Sequence, residues 1–161
     1  MRTTDRFRLT GDYGMALVVA DLVTTVAGMG RLSKRQAYRL RLAADEITTN
    51  ITCHGYCGEK GVVDIEGGVG DDWVWLHIED EAPPFDPTHH CRVTVPDAVQ
   101  EGGYGLFLAV TGIDHFAYDY SGGRNRNTLL VRRLPAHEDT LDGGTDDECH
   151  RAAGRRTGSV H

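Results

Sequence analysis

At 161 residues the chain fits one domain and is long enough to bury a sizeable core. Its 24 acidic residues outnumber 17 Lys and Arg, and the formal net charge of -7 argues against a general affinity for DNA or anionic membrane. No apolar run approaches the ~18 residues of a membrane span, and MRTTDRFRLTGDYG lacks the apolar core of a secretory signal, so a cytoplasmic location is expected.

Residues 5–10 alternate polar and apolar and predict a short strand. Residues 12–28 are apolar at helical spacing, with Asp12 placed as an N-cap and Gly28 and Gly30 as stops. Ser33 then opens a helix running to His54-Gly55-Tyr56, and Ser33 with Gln36 has the capping-box form. Leu40, Ala43, Ala44, Ile47 and Ile51 make its apolar stripe, while Glu46 and Asn50 project together from a neighbouring face. Residues 62–67 and 73–80 read as paired strands, and residues 81–100, rich in proline, as a long loop. Residues 105–115 predict a helix, and 116–120 and 127–134 two strands joined by SGGRNR. This order implies an α+β fold, one mostly antiparallel sheet with helices on one face.

Cys53, His54 and Cys57 with His89, His90 and Cys91 can be assembled on paper into a zinc site. The spacing is not that of paired turn motifs, so reduced thiols and surface histidines are expected, Cys149 included. A different chemistry is carried by Glu46 and Asn50. An amide oxygen suits Mg²⁺ that keeps phosphate and water ligands, and a carboxylate one turn away can take a proton from a hydroxyl. A solvated helix face is the competing reading of the same pair. Asp80 ends an apolar strand, where it either caps a turn or accepts a hydrogen bond from an exocyclic amine. Gly102, Gly103 and Gly105 precede a helix, an arrangement that lets backbone N–H groups approach phosphate. Thr128 is either a strand-favouring residue or a donor and acceptor for a purine edge. The P-loop and dinucleotide glycine motifs are both absent.

Together these segments resemble a known family. LAADEITTNITCHGY (residues 42–56) resembles the N-box of the GHKL ATPases, in particular the anti-sigma-factor serine/threonine kinases. IEDEAPPFDP (78–87) resembles their first glycine box, EGGYGLFL (101–108) the second, and NTLLVRRL their closing strand. The resemblance covers residues 5–134 and implies a Bergerat-type ATP-binding domain over 1–135, followed by a flexible tail over 136–161. It implies that Glu46 is the catalytic base, Asn50 the Mg²⁺ ligand and Asp80 the adenine anchor. Ala82, Pro84, Gly102, Gly103, Tyr104, Gly105, Leu106 and Thr128 would complete the ATP site, with residues 85–104 as its lid.

Family members sequester a sigma factor, phosphorylate a small STAS-type anti-anti-sigma partner on serine, and commonly form homodimers. The first glycine box departs from the superfamily pattern, with Ala82 and Pro84 where glycines are usual. Arg92 is the lid's single cation, which leaves an alternative expectation of a nucleotide-binding anti-sigma or scaffold module with little kinase activity.

Overall fold

The computed structural model describes residues 1–10, 14–90 and 103–133. Strands β1 (Arg2–Thr3) and β2 (Phe7–Thr10) are followed by helices α1 (Met15–Gly30) and α2 (Lys34–Asn50) and a π-helical turn, Ile51–Gly55. Strands β3 (Val62–Val69) and β4 (Trp73–Asp80), a short helix α3 (Pro87–His90), α4 (Gly103–Gly112), β5 (His115–Ser121) and β6 (Arg124–Arg132) complete the order.

All the pairings are antiparallel, in the order β1-β3-β4-β6-β5, with β2 sharing the outer edge of β3 with β1. The expected α+β architecture is therefore present, and the described sheet is wholly rather than mostly antiparallel. Period-two burial gives the sheet two different faces. Val63, Ile65, Val74, Leu76, Ile78, Leu129 and Val131 point towards the helices and are buried. They meet Val19, Leu22 and Val26 of α1, Leu40, Ala44 and Ile47 of α2, and Leu106 and Ala109 of α4 in one core. Each large side chain sealed there contributes about 1.5–3 kcal/mol.

Several boundaries differ from expectation. Helix α1 starts at Met15 after Gly14, which has a φ of 83° and no capping side chain; Asp12 lies outside the described residues. Gly28 does not stop it: the helix runs on to Gly30, and Arg31 caps it in the left-handed region. Gly30 is needed for close packing, since a Cβ there would overlap Val74 Cγ2. The Ser33 capping box forms as expected: Ser33 Oγ accepts from the Gln36 N–H, and Gln36 Oε1 accepts from the Ser33 N–H.

The 81–100 loop contains α3, and residues 91–102, including Cys91, Arg92 and Gly102, lie outside the described part. So does the chain from 134 onward, including Cys149 and the expected tail. The last two strands are longer than expected. They close on a two-residue turn, Gly122-Gly123, with φ of 60° and 77°, instead of the six-residue SGGRNR. Two consecutive positive φ values match the twist of a tight hairpin, and glycine adopts them without steric penalty. Among the described residues no helix is long and apolar enough to cross a membrane.

Candidate nucleotide site

Helix α2 brings Glu46 and Asn50 onto one face, one turn apart, and then loosens into the π-helical turn. Tyr56 N–H closes that turn onto the Ile51 carbonyl at 2.9 Å. Thr48 and Thr52 hydroxyls donate to carbonyls one turn back, at 2.8 and 3.0 Å, which competes with regular helix geometry. π-turns of this kind recur at functional sites. Tyr56 fixes this turn to the sheet: its hydroxyl donates to the Val62 carbonyl at 2.7 Å and accepts from the Glu81 N–H at 2.8 Å. The residue after Asp80 is thereby tied to the segment after Asn50.

A cleft open to solvent lies between these elements. Asn50, Ile47 and Ile51 form one wall and Asp80, Asn125 and Asn127 the wall opposite. Pro83, Phe85 and Pro87 line its edge, with Leu106 of α4 closing the end.

Asp80 is 1% exposed. Its Oδ1 accepts from Asn125 Nδ2 at 2.8 Å and the Ala82 N–H at 3.0 Å, while Oδ2 has no hydrogen bond among the described residues. Burial pushes its carboxyl above the ordinary value, against the opposing pull of those two donors. Asn125 is the hub of this wall. Its Oδ1 accepts from the Phe85 N–H at 3.1 Å and the Tyr118 hydroxyl at 2.7 Å, and its Nδ2 also donates to the Ala82 carbonyl at 3.0 Å. The backbone donor at Phe85 fixes the amide orientation.

Glu46, one turn before Asn50 on α2, packs against the start of α4. A Cβ on Gly105 would sit 2.3 Å from Glu46 Oε2, so the carboxylate packs directly on the Gly105 backbone. The positive end of the ten-residue α4 therefore faces an acidic side chain. Asn50 lines the cleft, half-buried, with no hydrogen bond among the described residues. An amide that is oriented into a cleft without a protein partner fits a magnesium ligand completed by phosphate and water oxygens. None of the described cleft-lining residues is basic. No cluster of three or more His, Cys, Asp or Glu that could hold a metal occurs among the described residues; Cys53 and Cys57 are free and exposed.

Of the expected site residues, Asn50, Asp80, Ala82 and Leu106 line the cleft, and Glu46 meets Gly105. Pro84 is exposed and absent from the lining, where its neighbours Pro83 and Phe85 appear. Gly103 opens α4 and Tyr104 follows it; Gly102 lies outside the described residues. Thr128 is on the opposite side of the sheet. The inward, buried positions of β6 are Asn125, Asn127, Leu129 and Val131, and Thr128 pairs with His77 and Ala117 on the open face. Asn127 takes the cleft position instead. Sequence reading missed Asn125 and Asn127 because both stood next to an assumed long turn; the Gly122-Gly123 pair was the signal that set the strand's start and hence its parity.

This sheet-and-helix layout, with the cleft at the helix face, is that of an ATP-binding domain rather than a P-loop enzyme. Residues 9–133 match the family described as Histidine kinase-like ATPase domain, and the chain belongs to that family, within the GHKL superfamily. Among solved structures the chain is similar to Acinetobacter baumannii histidine kinase AdeS, at 14% identity and a TM-score of 0.44, covering 82% of this chain and 70% of that one. Among curated proteins none matches.

Proposed function

We propose that this chain is a cytoplasmic serine/threonine-protein kinase and anti-sigma factor, which binds Mg-ATP, holds a sigma factor and phosphorylates a small STAS-type anti-anti-sigma partner on serine. The observation that carries the enzymatic half is Glu46: its carboxylate rests on Gly105 at the start of α4, one turn from the cleft-facing Asn50. Asp80 Oδ2 accepts the exocyclic amine of adenine. Asn50 would hold Mg²⁺, which would supply neutralisation of phosphate charge. The first turn of α4 would present backbone N–H groups to phosphate. Glu46 takes the proton of the partner's serine hydroxyl as its oxygen bonds to the γ-phosphorus, and the bond to the β,γ-bridging oxygen breaks to release ADP. The partners and a homodimeric state rest on the resemblance of the four sequence boxes.

A nucleotide-binding anti-sigma module with little phosphate transfer is the second reading, favoured by the lack of a basic side chain among the described cleft-lining residues. Single-turnover transfer from labelled ATP to the small proteins recovered with the chain from its native cell separates the two. The kinase reading expects transfer in the wild type and its loss in Glu46→Ala with ATP binding kept. Equal transfer by Glu46→Ala removes Glu46 as the base, and no transfer by either protein leaves the binding module.

A further inference from the structure

Cys53 and Cys57 are free thiols, and both are exposed. Cys53 sits in the π-helical turn Ile51–Gly55, and Cys57 lies just beyond it. On a regular helix, side chains four apart have Cβ atoms about 5–6 Å from each other, whereas a disulfide needs about 3.5–4.5 Å. Here regular geometry is abandoned, and the chain after Tyr56 folds back towards Cys53. Cys57 has a φ of 52°, a positive value shared only with Arg31 among the described non-glycine residues and uncommon for a residue with a side chain. The Gly58 N–H then bonds to the Thr52 carbonyl at 3.1 Å. Those two peptide units abut Cys57 and Cys53, so a single hydrogen bond holds the two cysteine backbones together. The Cys57 thiol turns the same way and donates to the carbonyl of His54, the residue after Cys53, at 3.5 Å.

What separates the pair is His54, Gly55 and Tyr56. Gly55 lines the cleft, and a Cβ on it would sit 2.9 Å from the Ala82 Cβ. Tyr56 bridges the Val62 carbonyl and the Glu81 N–H. Asn50 stands immediately before the turn. A contraction between Cys53 and Cys57 therefore reaches the cleft from the Asn50 side and from the segment after Asp80. A bond that closes so short a loop gains little from chain entropy, which suits a reversible switch better than a permanent staple.

We infer that Cys53 and Cys57 are a redox modification site: a low-molecular-weight disulfide oxidises them to an internal disulfide, which draws in the π-helical turn and weakens nucleotide binding in the cleft. One cysteine, as thiolate, attacks a sulfur of the small disulfide, expels a first small thiol and leaves a mixed disulfide. The other cysteine, as thiolate, attacks the protein sulfur of that bond, which breaks to release the second small thiol. The cysteines give up two electrons, the small disulfide takes them, and the two cysteine protons end on the two small thiols. Excess small thiol runs the exchange backwards. The effect on the cleft rests on the ATP-binding reading above, whereas formation of the disulfide does not.

The test treats the full chain carrying Cys91→Ser and Cys149→Ser with oxidised glutathione, then digests it with trypsin without reduction. Cleavage after Arg41 and Lys60 leaves both cysteines in one peptide, residues 42–60. That peptide is expected to lose the mass of two hydrogens and to resist alkylation, and dithiothreitol is expected to reverse both changes. Calorimetric titration with ATP and Mg²⁺ is expected to show binding weaker by about fivefold or more in the oxidised form than in the reduced form. Adding Cys53→Ser and Cys57→Ser together is expected to leave ATP affinity at the reduced value, before and after glutathione. The inference is overturned if peptide 42–60 keeps both thiols or carries glutathione instead of the internal bond, if the cysteines pair between chains, or if the oxidised protein binds ATP as tightly as the reduced one. In those cases ATP binding by the reduced protein still stands. A reduced protein that binds no ATP overturns the nucleotide reading and the switch with it, while the mass of peptide 42–60 still reports whether the pair closes.

Discussion

The Cα of Gly105 and the carboxylate of Glu46 are in contact across the α2–α4 packing, so tightly that a Cβ at 105 would lie 2.3 Å from Oε2 and 2.6 Å from Cδ. The glycine in this position is explained by the side chain opposite rather than by a turn. Gly105→Ala must push either the Glu46 carboxylate or the first turn of α4 aside. Because Glu46 is the flexible end of a half-buried side chain, the stability loss is expected to stay below about 1 kcal/mol. Phosphate transfer from ATP is expected to drop at least about tenfold, since misplacing a reacting group by about an ångström has effects of that order or larger. Melting curves and turnover measured on the same preparation check both halves.

Asn125 ties three separate segments: Asp80 at the end of β4, the Ala82–Phe85 stretch and Tyr118 of β5. Asn125→Ala leaves the Asp80 carboxylate with one donor instead of two and removes the side-chain acceptor of the Phe85 N–H. The expected loss is about 2–3 kcal/mol, in line with truncating a fully bonded buried amide. Hydrogen exchange at the Phe85 amide should accelerate more than exchange in α1, which makes no contact with this network. A uniform acceleration across both would show that Asn125 supports the whole fold and not this wall in particular.

What was legible from the sequence was what depends on near neighbours. The Ser33–Gln36 cap, the Glu46–Asn50 spacing and the exit of Asp80 from β4 are each set within a few residues, and each appears in the structure. The side of the sheet on which a β6 residue falls is different in kind. It depends on where the strand begins, and an error of one position moves every side chain to the other face. Reading SGGRNR as a long turn began the strand at Asn127 and left the facing of Thr128 open, whereas the tight Gly122-Gly123 turn puts Asn127 on the cleft and Thr128 outside. The packing reason for Gly30 was equally out of reach, because it is Val74, 44 positions away and in contact only after folding.

The open face of the sheet carries a charge lattice with no counterpart in the sequence reading. Asp64 is 2% exposed and accepts from Arg8 Nε at 2.9 Å, Arg6 Nη2 at 3.2 Å and Arg124 Nη2. Arg8 above all, with Arg124 and Arg6, holds its carboxyl far below the usual carboxylate range in spite of burial. A depressed folded-state pKa adds stability that is complete above the unfolded pKa, near 3.9 for aspartate, and fades as pH falls through the folded value. Asp64→Asn is therefore expected to lower stability by about 1–3 kcal/mol at pH 7, a figure reduced for the solvent exposure of Arg6 and Arg8. The gap from wild type should be constant between roughly pH 7 and pH 5 and shrink below about pH 4. Denaturant unfolding of both proteins across that range measures it. A gap that instead grows on acidification would mean that the sign of the Asp64 shift is wrong.

Tyr56 joins the two halves of the proposed site, since its hydroxyl bridges the Val62 carbonyl and the N–H of Glu81, the residue after Asp80. Its ring covers Gly61, where a Cβ would lie 2.2 Å from ring atoms. Tyr56→Phe keeps the ring and removes the bridge. The expected loss is about 1–2 kcal/mol for two hydrogen bonds that are partly accessible to water. Burial pushes the Tyr56 phenol above its ordinary value, against the opposing effect of its backbone bond with Glu81. A raised folded-state pKa gives stability that is complete below the unfolded value, about 10 for tyrosine, and lost as pH rises through the folded one. The difference between wild type and Tyr56→Phe should thus hold steady up to about pH 10 and narrow above it. ATP affinity should fall along with stability, because slackening Glu81 loosens the carboxylate one residue before it. A variant that melts lower but binds ATP unchanged would confine Tyr56 to holding the π-helical turn, with no bearing on the position of Asp80.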